Sequence, residues 1–245
     1  MRTLITMILL LALAGSGLAE QDAVDLPDLG AAIERYQARD SGPELTPDER
    51  RVMQQANEQI ASRLPDPGLE VGERAPRFTL PNAFGKPVSL DEQLESGPVV
   101  LTFYRGAWCP YCNLELRALH ASMPQFQRYD ASLIAVTPQK PSRSRKQLAQ
   151  DPYAFQVLSD LDSKVMKAYE LYFEVPEALS QLYKRRFGLD LAEYNGQDRY
   201  ELPVPGTFVI DRQGTIRAAF AQVDYKRRME PEAIVDALRA IDANQ

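Results

Sequence analysis

The sequence contains few of the residues that build metal and haem sites. It has only two cysteines and one histidine among its 245 residues. A structural zinc site needs four ligands, and only His120 is available in addition to the two cysteines. Asn113 follows Cys112, so the Cys-x-x-Cys-His pattern of haem attachment is absent as well. We therefore expect neither a metal nor another cofactor.

Positive charge is not concentrated in this chain. The formal net charge is −6, and the basic residues are spread along the sequence. The two densest basic runs, Lys184 to Arg186 and Lys226 to Arg228, are short, and such runs usually form solvated faces. A nucleic-acid surface needs clustered lysine and arginine, so we expect no nucleic-acid partner.

Long apolar runs are also missing. The longest run near the start, Leu4 to Ala14, has about eleven residues, whereas a membrane-spanning helix needs roughly twenty. Arg2 precedes this run, and small residues follow it up to Ala19, a pattern typical of a bacterial secretory signal peptide. We expect cleavage after Ala19, an exported protein that is periplasmic or secreted, and no stable membrane insertion.

Residues 20–68 are predicted to form a helical extension. Helical spacing covers residues 28–39 and 46–64, and Thr46 with Glu49 fits a capping box at the start of the second helix. The apolar stripe of that helix is narrow, so it needs a surface to lie against. We expect it to pack on the main domain or on a second subunit, which makes a homodimer possible. Two prolines and a glycine in Pro65 to Gly68 mark the boundary with the domain formed by residues 69–245.

From Val71 onward, strand and helix patterns alternate, which predicts an α/β layered domain with a mixed sheet. Strands are predicted over residues 78–80, 88–90, 98–104, 132–137, 207–210 and 216–220, and helices over residues 116–126, 146–150 and 231–241. The segment 171–200 is an insertion before the final hairpin. It could be a lid, a dimer surface or a segment without function, and its aromatic residues, including Tyr183, are expected in the core.

The two cysteines, Cys109 and Cys112, lie where a buried strand passes into a helix. Backbone N–H groups and the helix dipole stabilise a thiolate at such a position. A bridge closing so short a loop contributes only about 2 kcal/mol, against nearly 5 for a loop of a hundred residues. The pair would thus stabilise the fold little as a structural disulfide, and the pattern favours reversible redox chemistry. Arg105 just upstream could stabilise the thiolate further.

Several motifs are similar to those of a known family. They are the opening Gly72 to Phe78, the site segment Phe103 to Cys112, which includes Trp108, Pro110 and Tyr111, and Pro205 to Asp211. The chain resembles the peroxiredoxin-like branch of the alkyl hydroperoxide reductase and thiol-specific antioxidant (AhpC/TSA) family. The resemblance implies a thioredoxin fold, which is a mixed central sheet flanked by helices, with the helical extension before it and the insertion before its last hairpin.

The resemblance also assigns roles to site residues. Counting from Phe103 places the family's peroxide-attacking cysteine at Cys112, its threonine at Cys109 and its glutamate at Glu115. Arg105 replaces a family proline, and Pro205 replaces the arginine that binds peroxide. Pro205 instead matches the cis-proline with which thioredoxin-like disulfide reductases dock an extended substrate. A trans proline entering an edge strand is the alternative.

Three functions follow from these residues. The first, implied by the resemblance, is a thiol-dependent peroxidase that acts on hydrogen peroxide or organic hydroperoxides. One cysteine becomes a sulfenic acid, the other resolves it as a disulfide, and a thioredoxin-like reductant restores both. Arg105 would stabilise the thiolate or the leaving oxygen, or else be only a salt bridge or a solvent-exposed side chain. No buried carboxylate is evident in the strand before the site.

The other two functions differ in what the cysteines do. In a thiol–disulfide oxidoreductase, Cys109 attacks a protein disulfide and Cys112 resolves the mixed disulfide. In a non-catalytic binding module, the fold persists and the cysteines are dispensable.

Overall fold

The structure is a computed structural model that describes residues 25–39, 44–196 and 198–244. The predicted signal peptide, residues 1–19, lies outside the described residues. Across the described ranges, no helix is both long and apolar enough to cross a membrane.

Nine helices and nine strands are found in the described residues. The helices are α1 (Leu29–Ala38), α2 (Pro47–Arg63), α3 (Leu90–Ser96), α4 (Pro110–Gln127), α5 (Pro141–Gln150), α6 (Lys164–Ala168), α7 (Glu177–Phe187), α8 (Leu191–Asn195) and α9 (Pro231–Asp242). The strands are β1 (Thr79–Pro81), β2 (Pro87–Ser89), β3 (Val99–Phe103), β4 (Ser132–Thr137), β5 (Gln156–Ser159), β6 (Tyr172–Glu174), β7 (Glu201–Pro203), β8 (Gly206–Ile210) and β9 (Ile216–Ala221).

The centre of the molecule is a five-stranded mixed sheet in the order β5-β4-β3-β8-β9. The neighbours β3, β4 and β5 are parallel, whereas β8 and β9 run antiparallel to their partners. Helices α4 and α9 pack on one face and α3 and α6 on the other. All five residues of β3 are buried, because β3 is central and covered on both sides. The predicted α/β fold with a mixed central sheet is confirmed.

The strand directions bring distant segments to one edge of this sheet. Phe103, the last residue of β3, pairs with Val136 near the end of β4 and with Gly206 at the start of β8. Gly206 also pairs with Ala221 at the end of β9. The segments that follow β3, β4 and β9 therefore meet at this edge.

The N-terminal extension packs on the α/β core at two places. Helix α1 buries Leu29 and Ile33 against Ala118 of α4. Helix α2 begins with the predicted capping box, in which Thr46 and Glu49 satisfy each other's backbone N–H groups. Its residue Ala56 packs in a cluster with side chains of α7. Both helices of the extension thus contact the domain formed by residues 69–245.

A carboxylate from the end of the chain holds the start of α1. Glu230 accepts hydrogen bonds from the backbone N–H groups of Leu29, at 3.0 Å, and Gly30, at 2.8 Å. These N–H groups belong to the first turn of a helix, which has no carbonyl partner for them. The negative charge also interacts favourably with the helix dipole. Glu230 thus joins the extension to the segment between β9 and α9.

The insertion at residues 171–200 is folded. Its strand β6 pairs antiparallel with β7, and Val204 N–H donates to Leu171 O at 2.7 Å. Helix α7 packs between α2 and Trp108, which belongs to the segment just before the cysteines. The insertion therefore connects the extension with the end of β3.

The cis-proline prediction is wrong. The described part of the chain contains no cis peptide bond, so Val204–Pro205 is trans. Val204 is held by its hydrogen bond to Leu171, and Gly206 is paired with Phe103 in the sheet. Pro205 enters an interior strand, not the edge strand of the alternative reading.

We predict that Glu230→Ala loosens α1 without unfolding the domain. The two N–H groups lose a charged acceptor, which should cost about 1 kcal/mol or more of local stability. Hydrogen exchange at residues 29–38 should then become faster, with little change in the strands of the sheet. Glu232→Ala, at an exposed position in the first turn of α9, is the matched control. Equal exchange in the two variants would show that Glu230 does not hold α1.

Candidate active site

A tight loop joins the end of β3 to the start of α4. Gly106 in this loop has a φ of +148°, and a Cβ atom there would lie 2.5 Å from Nε1 of Trp108. Only glycine fits without displacing the indole. The Cys109 N–H donates to Gly106 O at 3.1 Å and closes the turn.

Buried amide side chains hold this loop in place. The Ala107 N–H donates to Oε1 of Gln139 at 3.0 Å, and Nδ2 of Asn113 donates to Ala107 O at 2.8 Å. Gln147 donates to Oδ1 of Asn113 at 3.1 Å and accepts from the Tyr104 hydroxyl at 2.8 Å. A fully satisfied polar network of this kind rigidifies its surroundings. Sequence reasoning missed the two glutamines, because glutamine is usually a surface residue.

The cysteine pair lies at the predicted strand-to-helix junction. Cys109 is the N-cap of α4, Pro110 follows at the first helical position, and the Cys112 N–H donates to Sγ of Cys109 at 3.4 Å. Both residues are free thiols, with Cys109 1% exposed and Cys112 0% exposed. The two sulfurs are thus neighbours in one buried site.

The surroundings shift the pKa values of the two thiols in opposite directions. Burial raises the pKa of Cys109, but a hydrogen bond from Cys112 and the charges of Arg105 and Arg228 outweigh it and lower the pKa to about 6. Burial, followed by the hydrogen bond to Cys109, raises the pKa of Cys112 well above its ordinary value. The surroundings therefore favour a thiolate on Cys109 over one on Cys112.

A buried ion pair lies beneath Cys112. Nε of Arg228 is 2.8 Å from Oε2 of Glu115, and the two side chains are 2% and 1% exposed. Nη2 of Arg228 lies 3.5 Å from Sγ of Cys112. Nη1 donates to the carbonyls of Tyr225 and Arg227, so the guanidinium is held at all three nitrogens. The prediction that the run Lys226 to Arg228 forms a solvated face is wrong for Arg228, because Glu115 and the sulfur give its charge buried partners.

Glu115 supplies a buried carboxyl group at the site. It comes from α4, one turn after Cys112, and it also accepts a hydrogen bond from the Thr207 hydroxyl at 3.3 Å. Burial raises the pKa of Glu115 to about 7, and Cys112 adds to the rise, while Arg228 opposes it. A carboxyl group with that pKa can exchange protons near neutrality. The strand before the site has no carboxylate, as the sequence indicated, and this one comes from α4 instead.

Arg105 is buried among aromatic rings. Its Cζ lies 4.4 Å from the ring centre of Tyr225, 4.9 Å from that of Trp108 and 5.9 Å from that of Tyr183. Nη2 donates to the Tyr183 hydroxyl at 2.8 Å, whereas the buried Nε has no partner. Nε1 of Trp108 is likewise buried and unpaired. Within the described residues Arg105 forms no ion pair with a carboxylate, and it is not solvent-exposed.

These rings continue into an aromatic pocket of about 830 Å³ in front of Cys109. The walls come from α1, α2, the loop before α4, α7 and the segment after β9, and Cys112 is not among the residues that line it. None of the described lining residues is acidic. The lining residues are Tyr36, Gln37, Met53, Arg105, Trp108, Cys109, Pro110, Tyr111, Tyr183, Phe187, Gly188, Leu189, Tyr194, Tyr225 and Lys226.

The structure brings most of the predicted site residues together. Arg105, Trp108, Cys109, Pro110 and Tyr111 line the aromatic pocket, and Cys112 and Glu115 lie in the core behind it. Pro205 is buried just before Gly206 at the same edge of the sheet.

The residues that sequence reasoning missed come from elsewhere in the chain. They are Tyr36, Met53, Tyr183, Tyr225 and Arg228. No short-range pattern marks them, because only the fold brings them to the cysteines. Tyr183, expected in the core, is largely buried but also forms a wall of the pocket. In the described part of the chain, no group of three or more His, Cys, Asp or Glu side chains could hold a metal ion.

Known proteins show similarity over the α/β domain. The sequence model of the AhpC/TSA family matches residues 71–219. A Helicobacter pylori protein named peroxiredoxin bcp is 30% identical over 159 residues, which cover 64% of this chain and 91% of that protein. Alkyl hydroperoxide reductase E of Mycobacterium bovis is 27% identical over 178 residues, covering 71% of this chain and 99% of the reductase.

Solved structures support the fold. The crystal structure of peroxidoxin BcpB from Mycobacterium tuberculosis superimposes with a TM-score of 0.55 at 22% identity and covers 71% of this chain and 98% of that one. Peroxiredoxin Q of Xanthomonas campestris gives a TM-score of 0.52 at 20% identity, covering 67% and 91%. The mixed sheet and its flanking helices are thus the thioredoxin fold that the motifs implied. Because the family match covers more than half of the chain and includes both cysteines, this protein belongs to the AhpC/TSA family of oxidoreductases.

Proposed function

We propose that this protein is a thiol-dependent peroxidase in which Cys109 attacks the hydroperoxide and Cys112 resolves the product. One observation carries the proposal: Cys109 lines the aromatic pocket and has the lowered pKa, whereas Cys112 lies behind it with a raised pKa. The names of the relatives, peroxiredoxin and alkyl hydroperoxide reductase, support the reaction class.

In the first step, the Cys109 thiolate attacks one oxygen of the hydroperoxide. An S–O bond forms, the O–O bond breaks, and the leaving oxygen takes a proton from water and departs as an alcohol or as water. Cys109 becomes a sulfenic acid. Arg105, which lines the pocket together with Cys109, brings a positive charge that can stabilise the negative charge developing on oxygen.

In the second step, Cys112 attacks the sulfenic sulfur. Glu115 accepts the thiol proton, and Arg228, whose Nη2 lies 3.5 Å from Sγ of Cys112, stabilises the resulting thiolate. The S–S bond forms and the S–O bond breaks. The leaving hydroxide takes up the proton that Glu115 accepted and departs as water. An external thiol then restores both cysteines. The family resemblance implies a thioredoxin-like protein for this last role.

The choice of Cys109 departs from the family register, which places the attacking cysteine at Cys112. A peroxide must reach the sulfur, and only Cys109 faces the pocket. It must also meet a thiolate, and burial makes a thiolate on Cys112 unfavourable. Access and charge therefore both favour the first cysteine.

The sequence also predicts a signal peptide over residues 1–19. On that ground we include in the proposal that the enzyme acts in the periplasm or outside the cell.

A matched pair of variants tests the order of the cysteines. Reduced Cys112→Ser should still consume one equivalent of peroxide and stop at a sulfenic acid on Cys109, which dimedone labels. Reduced Cys109→Ser should react no faster than a free thiol. Stopped-flow peroxide consumption and mass spectrometry of the labelled site measure both outcomes. If the Cys109→Ser protein instead forms a sulfenic acid on Cys112 at the wild-type rate, Cys112 is the attacking cysteine, as the family pattern implies.

A thiolate titration tests the role of Arg105. Ultraviolet absorbance of the reduced protein should show a thiolate that forms with a midpoint near pH 6, because the pKa of Cys109 is lowered to about 6. Arg105→Gln should raise that pKa by about one unit or more, the usual effect of removing a nearby opposite charge. Lys86→Gln, which removes an exposed charge in the β1–β2 turn, should leave it unchanged. A midpoint that does not move in Arg105→Gln would show that Arg105 does not stabilise the thiolate.

The pH dependence of the second step tests Glu115. A proton acceptor must be ionised, so disulfide formation should accelerate as pH rises through about 7, the pKa of Glu115. In Glu115→Gln the second step should be slower and should lose this acceleration, while the first step persists. Single-turnover kinetics over pH measure both steps, with the exposed Glu92→Gln as the control. An unchanged pH profile in Glu115→Gln would show that Glu115 is not the proton acceptor of the second step.

A thiol–disulfide oxidoreductase is the second candidate. An acidic first cysteine with a buried second cysteine favours it, because disulfide exchange uses the same order of attack. The trans bond before Pro205 removes the docking feature that first suggested this function. Rapid reduction of insulin by the reduced protein, without peroxide reactivity, would establish this second function instead of the first.

A further inference from the structure

The aromatic pocket has a size and charge that peroxide chemistry alone does not explain. We propose that it binds a small thiol that carries a carboxylate, and that this thiol reduces the Cys109–Cys112 disulfide directly. The inference rests on the proposed function, since the disulfide is the product of that reaction.

Access to the disulfide is limited to one sulfur. Cys112 is fully buried, and only Cys109 lines the pocket. The walls include Tyr36 of α1, Met53 of α2 and Tyr183 of α7, so the extension and the insertion both stand around the opening. A volume of about 830 Å³ is in the range of small-molecule sites. A small thiol therefore has room to reach Cys109 within the pocket.

The charge of the pocket identifies the ligand as an anion. The chain as a whole carries a net charge of −6, yet the pocket is lined by Arg105 and Lys226 and by no described acidic residue. Arg105 is buried and has no carboxylate partner among the described residues, and a buried cation is unfavourable without one. The aromatic walls suit an apolar body attached to a carboxylate.

Oxidation should strengthen this binding. In the reduced protein the Cys109 thiolate offers Arg105 a negative charge nearby. Disulfide formation removes that charge and leaves a buried guanidinium that, among the described residues, contacts aromatic rings and donates to the Tyr183 hydroxyl. A buried cation is strongly unfavourable without a counter-ion. A carboxylate is therefore bound best in the oxidised state, in which a reductant is needed.

Two small thiols supply the two electrons that reduce the Cys109–Cys112 disulfide. The first, as its thiolate, attacks Sγ of Cys109, so an S–S bond forms to Cys109 and the Cys109–Cys112 bond breaks. Cys112 leaves as a thiolate beside Arg228 and takes up a proton. The second small thiol attacks the sulfur of the first and forms a small-molecule disulfide. Cys109 leaves as a thiolate, and its low pKa makes it a good leaving group. Two electrons pass from the small thiols to the protein.

Two small thiols that differ only in their carboxylate test whether that group is recognised. The protein is oxidised with diamide, and its reduction by N-acetylcysteine and by N-acetylcysteine amide is followed at equal thiolate concentration. The acid should react at least about tenfold faster than the amide, which corresponds to one charge-assisted hydrogen bond. Arg105→Gln should reduce this ratio to near one, while Lys86→Gln should leave it unchanged. Arg105→Gln also lowers the thiolate fraction on Cys109, but this changes the rates of both probes equally. The ratio of the two rates therefore reports on binding of the carboxylate.

A second measurement uses only the wild-type protein. N-acetylalanine, which lacks the thiol, should bind the oxidised protein more tightly than the reduced protein, as measured by calorimetry. Its acid should also slow reduction by N-acetylcysteine, whereas N-acetylalanine amide should not. This measurement keeps the proposal testable even if Arg105→Gln fails to fold.

Two results would overturn the proposal. One is an equal rate for the acid and the amide with the wild-type protein, and the other is rapid reduction by thioredoxin when both small thiols react no faster than with a model disulfide. Because diamide makes the disulfide, these results do not depend on peroxide. Failure of the proposed function appears separately, as reduced protein that does not consume a hydroperoxide.

Discussion

The site depends on two guanidinium groups that are buried with only one carboxylate between them. Arg228 is paired with Glu115, but Arg105 has aromatic rings and a tyrosine hydroxyl as its neighbours. A charge buried in this way is unfavourable unless a partner of opposite sign lies close to it. The Cys109 thiolate is the group that can supply the missing negative charge, since its pKa is lowered to about 6. Burying Arg105 and ionising Cys109 therefore stabilise each other.

Much of the rest of the chain keeps water away from this arrangement. Tyr36 of α1, Tyr111 of α4 and Tyr225 after β9 form a continuous row of rings, with centroids 5.3 and 5.5 Å apart. On the opposite side, Tyr183 of α7 packs near Trp108, with ring centroids 6.0 Å apart. Electrostatic interactions grow as the local dielectric falls, so this cover increases the effect of Arg105 on the sulfur. The extension, through Tyr36, and the insertion, through Tyr183, thus both contribute side chains to the surroundings of the cysteines.

The sequence predicted the parts of the structure that are encoded locally. The capping box at Thr46, the buried strand β3 and the position of the cysteines at the start of α4 all follow from patterns within a few residues. The residues that sequence reasoning missed act over long distances. Glu230 binds α1 two hundred residues away, and Arg228 reaches Cys112 from beyond the last strand. A buried arginine in a basic run has the same local pattern as an exposed one, so only the fold distinguishes them.

In the function we propose, the positions of the arginines, together with the burial of Cys112, favour a thiolate on Cys109 over one on Cys112. In the family pattern that the motifs resemble, a proline stands at the position of Arg105, an arginine at that of Pro205, and the reactive cysteine at that of Cys112. Here Arg105 brings a cation to the pocket side, near Cys109. The cation near Cys112 comes instead from Arg228, and Glu115 already neutralises it. A sulfur is ionised where positive charge is not otherwise compensated. In the proposed mechanism, the placement of the buried cations thus helps to decide which of two cysteines one helical turn apart attacks first.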